Sequence, residues 1–355
     1  NMLILLKPMF FLVTHRLFFK MVMALSVGGT LAIATGGKTL RVEMYAANAQ
    51  VTPDDTLSTT VTTTDNVNLV IGGGRTAGSH LFHSFDEFSI PVNGSVHFDN
   101  STAIDTIFSR VTGRRISDIN GMLKANGTAN LFLMNPNGIL FGEQASLNIG
   151  GSFFATTAER IVFDDSANFS AVDPSNRVPL LSVNISPGLQ MGPNSGPITI
   201  EGEGHQLTGG FFFPTLFNDT PLGLQINPSQ TLGIVAPQII FTGGLLRTFG
   251  GHIEIHSVKQ GLLNLNNRDS SWHVDNQQVN HFGPIYLTDQ SLVEASGVVP
   301  GTIHLQGHTI RIDDGSVVLS QNTGTENFEP IIVTATNTLD IEQSIRNAAD
   351  QDSSF

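Results

Sequence analysis

From residue 131 onward, short apolar runs open at Leu131, Ile139, Leu147, Phe153, Ile161 and Phe169, separated by 8, 8, 6, 8 and 8 residues. An amphipathic helix would repeat its apolar positions at three and four, whereas a run this short closed by a Gly- or Asn-containing corner has the length of a strand and its turn. The sharpest corner is Asn135-Pro136-Asn137-Gly138, set between Leu131-Phe132-Leu133 and Ile139-Leu140-Phe141. Pro136 fixes φ, Asn137 tolerates the left-handed region and Gly138 enters it freely. Strands of a simple hairpin would alternate polar with apolar side chains, but these carry apolar residues at successive positions. The spacing favours a chain wound into a coil around a core. Three such strands make one rung, from Leu131 to Phe153, and its length falls within the period of parallel β-helices and other solenoids. In such a stack the ladder bonds run between rungs, and inward side chains form a continuous column.

The rest of the chain arranges itself about this repeat. Residues 50–100 begin Thr-rich and then supply Leu81, Phe82, Phe85, Phe88 and Ile90, enough apolar surface to cover one end of a coil whose terminal rung would otherwise be open. They are expected to form an amino-terminal β cap. Residues 101–128 fit either a helical face built from Ile104, Ile107, Phe108 and Val111 or a strand-turn-strand with Arg114-Arg115 at its corner. From 173 to 217 the regularity weakens. Residues 186–197 read as a loop, Ile198-Thr199-Ile200 as a strand resuming the stack, and Phe211 to Phe213 as a patch on the exterior beside an extra hairpin. The repeat returns after Leu232, with Ile285, Leu292, Ile303, Ile310 and Val317 opening strands. The intervals Ile285 to Ile303 and Leu292 to Ile310 are equal, and that agreement of two registers points to a rung of this shorter length. The pattern then stops at the carboxyl end without a recognisable cap, so the natural product is expected to continue past Phe355.

Composition agrees with a β-rich exported chain. There are 36 glycines, no cysteine and only 13% charged residues, so neither disulfides nor thiolate chemistry is available. The formal charge is −13; the first 49 residues hold five basic side chains and one acid, leaving 12 basic against 29 acidic residues and a net of −17 beyond them. That balance argues against a phosphate-neutralising nucleic-acid surface. Residues 1–49 read as a signal-peptide region. Arg16 and Lys20 precede the apolar residues 21–35, and Ala47-Asn48-Ala49 supplies a small-x-small pattern before Gln50, the expected mature start. A retained membrane anchor is the alternative, although neither apolar stretch, Met2 to Val13 or Met21 to Thr35, reaches the roughly 20 residues of a bilayer span.

Three blocks, HLFHSFDEFSIPVNGSVHFDN, SRVTGRRISDINGMLKANGTANLFLMNPNGILFG and ASLNIGGSFFATT, resemble the amino-terminal two-partner-secretion domain of filamentous haemagglutinin-like exoproteins, particularly the cyanobacterial type. The likeness is close over about residues 50–165. It implies an all-β fold, a right-handed parallel β-helix with an amino-terminal cap, acting as the secretion signal recognised by an outer-membrane β-barrel transporter. On this reading residues 50–235 form the secretion domain, with the cap at 50–100 and the β-helix with extra-helical hairpins at 101–235, and residues 236–355 continue as passenger repeats. The resemblance also implies a secreted or cell-surface adhesin that reaches the outside through the periplasm and outer membrane, with host or cell-surface glycans or proteins as further partners. The motif carried over is Asn135, Pro136, Asn137, Gly138 and Ile139, either as a direct transporter contact or as the holder of the corner. The family's second motif, NPNL, is replaced by Asn100-Ser101-Thr102-Ala103-Ile104.

No catalytic, cofactor or metal site is expected. His80 with His83, His252 with His256 and His304 with His308 have metal-like spacing, but an i, i+4 pair converges on an ion only on a helix. The acidic pairs Asp54-Asp55, Asp164-Asp165 and Asp313-Asp314 could bind calcium or serve a β-helical polysaccharide-active enzyme; solvated turns explain them more simply. Gly72-Gly73-Gly74 and Gly209-Gly210 lack the Lys-Ser/Thr of a phosphate loop, and Asn93-Gly94-Ser95 and Asn126-Gly127-Thr128 read as turns rather than glycosylation sites. A polysaccharide-active enzyme and a purely structural surface fibre are the alternatives to a non-enzymatic secretion domain.

Overall fold

The structure, a computed structural model, describes residues 49–163, 167–174, 187–208, 215–217, 220–268, 271–325 and 331–342, together with two short strands nearer the amino terminus. Those two, Thr30–Thr35 and Lys38–Glu43, pair antiparallel in a separate unit that ends at Asn48. Ala47 lies outside the described residues, as do Phe211 to Phe213 and Asp164-Asp165.

From Ala49 the chain is all-β: among the described residues there is no helix, and the strands stack in parallel on three faces. The first face runs from His80–Ser89 through Thr106–Val111, Asn130–Met134, Phe153–Thr156, Thr231–Ala236, the start of His252–Arg268 and Ile303–Ile312 to Ile331–Ile341. The second joins Ser117–Ile119, Ile139–Phe141, Ile198–Glu201, Ile239–Thr242 and Pro284–Thr288 to the far ends of the last two strands. The third stacks Asn68–Gly73, Ser95–Phe98, Met122–Ala125 and Ser146–Asn148, and resumes with Leu224–Gln225, Leu245–Arg247, Leu292–Glu294 and Val317–Leu319. This is a parallel β-helix. Residues 101–128 contribute one strand to each face, so the strand-turn-strand reading of that segment holds and the helical one does not.

Antiparallel strands cover the amino-terminal end. Gln50–Pro53 and Arg75–Ala77 pair with His80–Ser89, and Thr59–Thr63 pairs with Asn68–Gly73. His83 is sealed beneath them, 1% exposed and 3.2 Å from Thr59 Oγ1 through Nδ1.

The rung expected from Leu131 to Phe153 is observed, since these two residues stand opposite each other. Two other spacings read differently in space. Ile285 pairs with Ile310 rather than Ile303, and Leu292 with Val317 rather than Ile310, so these rungs are longer than the equal intervals suggest. Those intervals compared different faces, because Ile303 belongs to the first face opposite Ile253. Ile161 and Phe169 are not rung strands either. Arg160–Val162 and Asn168–Ser170 form an antiparallel hairpin, joined by Gly188–Met191, which occupies part of the expected loop, and then by the outer half of His252–Arg268 and by Ser271–Phe282.

The reason lies in the apolar side chains at successive positions. Leu131, Leu133, Phe153 and Ala155 point into the helix with the inner core. Phe132 and Phe154 necessarily point the other way, and with Phe82 and Phe108 they form an outward column that must be covered. Phe163, Phe169, Leu189, Leu263, Leu265 and Trp272 of the outer antiparallel sheet cover it. Successive rings in the column lie 5.2, 5.0 and 4.9 Å apart, one rung each, and Trp272 meets Phe132 and Phe154 edge-on.

Truncating Phe132 to alanine empties the middle of this second core and should cost about 3–5 kcal/mol, read by denaturant unfolding; a loss below about 1 kcal/mol would mean that the outer sheet does not seal the column. Burial holds the His83 imidazole down at about 4. Its neutral form is therefore favoured by folding, a contribution present above its ordinary 6.5 and lost as pH falls through about 4. His83→Gln should remove roughly 3 kcal/mol of acid sensitivity over that interval, measured as unfolding midpoints across the pH range.

Candidate functional site

The strand Asn130–Met134 delivers the chain to a corner whose leading side chain is wholly enclosed. Asn135 is 0% exposed, Pro136 and Gly138 are buried, and Asn137 is half-buried. Asn135 Nδ2 donates to the carbonyl of Arg115 and to Ser117 Oγ, both at 3.0 Å, on the preceding rung. Its Oδ1 accepts from the Asn137 backbone N–H at 3.0 Å and from Asn137 Nδ2 at 2.9 Å. Asn137 Nδ2 spends its other hydrogen on the Gly113 carbonyl at 2.7 Å. The two amides thus form one relay, in which each holds the other and both grip the neighbouring corner.

The same corner is gripped from the other side. Gly196 N donates to the Pro136 carbonyl at 2.6 Å, and Ile139 N to the Pro197 carbonyl at 3.1 Å. A Cβ on Gly196 would overlap the Asn137 carbonyl, so only glycine lets the next rung close. Gly138 has φ +129°, which its neighbours Asn137 and Ile139 could not adopt cheaply. Arg114, Arg115 and Ile116 project from the gripped segment into solvent, with Arg115 paired to Glu87 at 3.1 Å. Of the expected cleavage residues in the described part, Ala49 is partly buried, its N–H donating to the Asn66 carbonyl at 3.1 Å, and Gln50 is exposed at the start of its strand.

Sequence reasoning passed over Arg110, the largest fully buried side chain. Its guanidinium donates to Ser84 Oγ, to the Ser170 carbonyl and to Thr56 Oγ1 at 2.7, 2.8 and 2.9 Å, and lies 4.4 Å over the Phe169 ring. One side chain thereby joins cap, first rungs and outer sheet. Burial pulls it down to about 10, against the pull of Asp54, so it stays charged at neutral pH. The available signal was an arginine placed between apolar residues of a strand, where only a fully bonded cation is tolerated.

The candidate chemical residues are mostly committed elsewhere. Asp54 accepts from Thr56, Ser84 and Thr112; its burial alone would raise it, but those bonds hold it below the usual carboxylate range. Asp313 pairs with Arg311 at 2.6 Å, and Asp314 occupies a left-handed turn position. His80 packs on Phe108 and His83 on Phe98, so this pair does not converge. The other two pairs each contribute one member, His256 and His304, to a buried cluster around Glu254. Its members bond one another rather than surround a common centre, and among the described residues no group of three or more ligating side chains is arranged to hold a metal ion. Glu143, Glu201 and Glu203 line a cleft, where burial and the charges of Glu143 and Asp118 push Glu201 up.

Removing the Asn135 amide strands donors and acceptors inside the relay. Asn135→Ala should cost about 2–3 kcal/mol and Asn137→Ala about 1–2 kcal/mol. Urea unfolding of both variants checks the order, and equal or reversed losses would contradict the relay.

The family model described as TPS secretion domain matches residues 49–307. The heme/hemopexin-binding protein of Haemophilus influenzae is 38% identical over 87 residues, 24% of this chain and 9% of that protein, so the chain spans only a small part of this relative's length. Two solved structures are similar at lower levels. The HMW1 secretion domain from Haemophilus influenzae has 16% identity and a TM-score of 0.43 over 76% of this chain and 72% of that one. The filamentous hemagglutinin secretion domain has 13% identity and a TM-score of 0.33 over 82% and 99%. With most of its length matched by the family model, the chain belongs to the TPS secretion domain family.

Proposed function

We propose that this chain is the non-enzymatic export signal of a haemagglutinin-like adhesin, read by an outer-membrane transporter barrel and displayed at or released from the cell surface. Membership of the secretion-domain family carries the reading. Residues 1–49 act as a signal peptide cleaved before Gln50, and the later rungs begin a passenger whose partners are surface glycans or proteins. The absence of cysteine suits passage of an unfolded chain through a narrow barrel. A β-helix can then grow outside rung by rung, because each rung needs only its neighbour, and that growth opposes back-sliding.

Within the folded domain, the burial of Asn135 supports an architectural role for residues 135–139. A partner meets Asn137 in part, and more directly the Arg114–Ile116 ridge that the amides hold in place. The commitment of Asp54 and Asp313 to structural bonds supports the non-enzymatic reading.

Secretion measured with and without the transporter tests the proposal: without the barrel, the mature chain should stay in the periplasm. Asn137→Ala should lower secreted yield and folded stability together. A loss of secretion with stability intact would assign the asparagine to direct recognition. Glu201-dependent release of reducing ends from a pectin-like glycan would overturn the non-enzymatic reading.

A further inference from the structure

Strand His252–Arg268 starts on the first face of the helix and ends in the outer sheet. Ile253 and Ile255 point into the inner core, so Glu254 and His256 point outward, toward the hairpin that returns along Ser271–Phe282. Glu254 is 1% exposed. Its Oε2 lies 2.7 Å from His256 Nε2, and its Oε1 lies 3.3 Å from His304 Nδ1 on the next rung and 3.9 Å from His273 Nδ1 on the hairpin. His252 meets His273 edge-on at 5.0 Å between ring centres.

A carboxylate so far from water stays ionised only with a cation beside it, and among the described residues its ion-pair partners are all imidazoles. The groups facing it are His256 from its own strand, His304 from the following rung and His273 from the hairpin, with His252 of its own strand set against His273. The residues opposite on the preceding rung, Thr231, Gly233 and Val235, carry no charge. The positive charge in this cluster therefore depends on a proton.

We infer that Glu254 and His304, packed with His256 and faced by His273, form a proton-operated clasp that holds the Ser271–Phe282 strand on the outer face of the helix, tight in mildly acidic solution and loosened as the solution turns alkaline. The electrostatics agree with the geometry. Burial by itself would push the Glu254 carboxyl up, yet the hydrogen bonds and charges of His256 and His304 bring it down from 4.5 to about 2. His304 is pushed above 6.5 by its hydrogen bond to Glu254, against its own burial and with the help of the carboxylate charge. The His304 contribution is fully present below 6.5 and is lost as pH rises through its raised native value. The Glu254 contribution is present above 4.5 and is lost only as pH falls toward about 2. Both act together between 4.5 and 6.5, and the accessible release lies on the alkaline side.

The sole tryptophan reports the state of the clasp. Trp272 sits on the hairpin strand, 5% exposed against Phe132 and Phe154, with its backbone N–H donating to Thr231 Oγ1 at 2.9 Å. Acrylamide quenching of the mature chain from about pH 5.5 to about pH 9 should show accessibility rising about two- to tenfold, with the far-ultraviolet β signal unchanged. Glu254→Gln and His304→Gln should each flatten that profile. His308→Gln, on an exposed residue of the same strand as His304 with its side chain bonded locally to Thr309, should leave it as in the wild type. A flat wild-type profile, or one that survives both Glu254→Gln and His304→Gln, overturns the clasp. Amide exchange of the wild type, corrected for intrinsic rates, decides the matter independently of whether the variants fold: protection of Ser271–Phe282 that does not fall with pH relative to Ile139–Phe141 also overturns it.

Discussion

Rungs of a parallel β-helix sit one strand spacing apart, about 4.8 Å, so each atom at a corner meets the corresponding position of its neighbours on both sides. That repeat distance decides which side chains each corner can carry. At the Asn135 corner it leaves room for an amide that reaches back to Arg115 and Ser117, but not for a Cβ on Gly196. On the outer surface it sets phenylalanine over phenylalanine, from Phe82 through Phe108 and Phe132 to Phe154. The same registry puts His304 opposite Glu254, one rung on. Corner, aromatic column and buried charge cluster are three consequences of one distance.

The first face also carries apolar residues on both of its sides, so it needs two covers. The inner one is supplied by the winding of the chain. The outer one requires the chain to leave the helix, and among the described residues it does so between Phe153 and Leu232, partners on adjacent rungs, and again between Ile253 and Ile303. Arg110 ties the first excursion to the cap through Ser170 and Thr56. Its bonds span residues far apart in sequence, so cap, rungs and outer sheet are coupled at one cation.

How much of this is legible in the sequence follows from the same division. The rung from Leu131 to Phe153 and the corner at Asn135 can be read because strand, turn and strand are contiguous there, and local chemistry alone fixes them. The step near the carboxyl end escapes such a reading because equally spaced pairs of apolar residues exist on different faces, and spacing carries no label for the face. Ile161 and Phe169 keep the rhythm of the preceding strands while leaving the helix, since a strand in an outer hairpin has the same length as a strand in a rung. His256 and His304 stand out in the sequence as members of separate pairs. Their meeting at Glu254 depends on a contact between rungs, Ile253 against Ile303 with the whole outer hairpin between them in the chain, which no local pattern encodes.

The position of that charge cluster has a physical logic beyond its titration. A two-residue slip of an antiparallel hairpin returns the same side-chain faces to the core, so apolar burial alone defines its register weakly. The pairing of His252–Arg268 with Ser271–Phe282 is already irregular, with shifts between Val258 and Gln260, Gln260 and Gly261, and Leu262 and Asn264. Directional contacts are needed to fix it. The Thr231 hydroxyl bonds both the N–H and the carbonyl of Trp272, and the neighbouring His273 faces Glu254. A buried ion pair contributes little net stability once its desolvation is counted, but in the slipped register the carboxylate would lose an imidazole it cannot replace. The hairpin is held in place less by the strength of the Glu254 cluster than by the cost of leaving it.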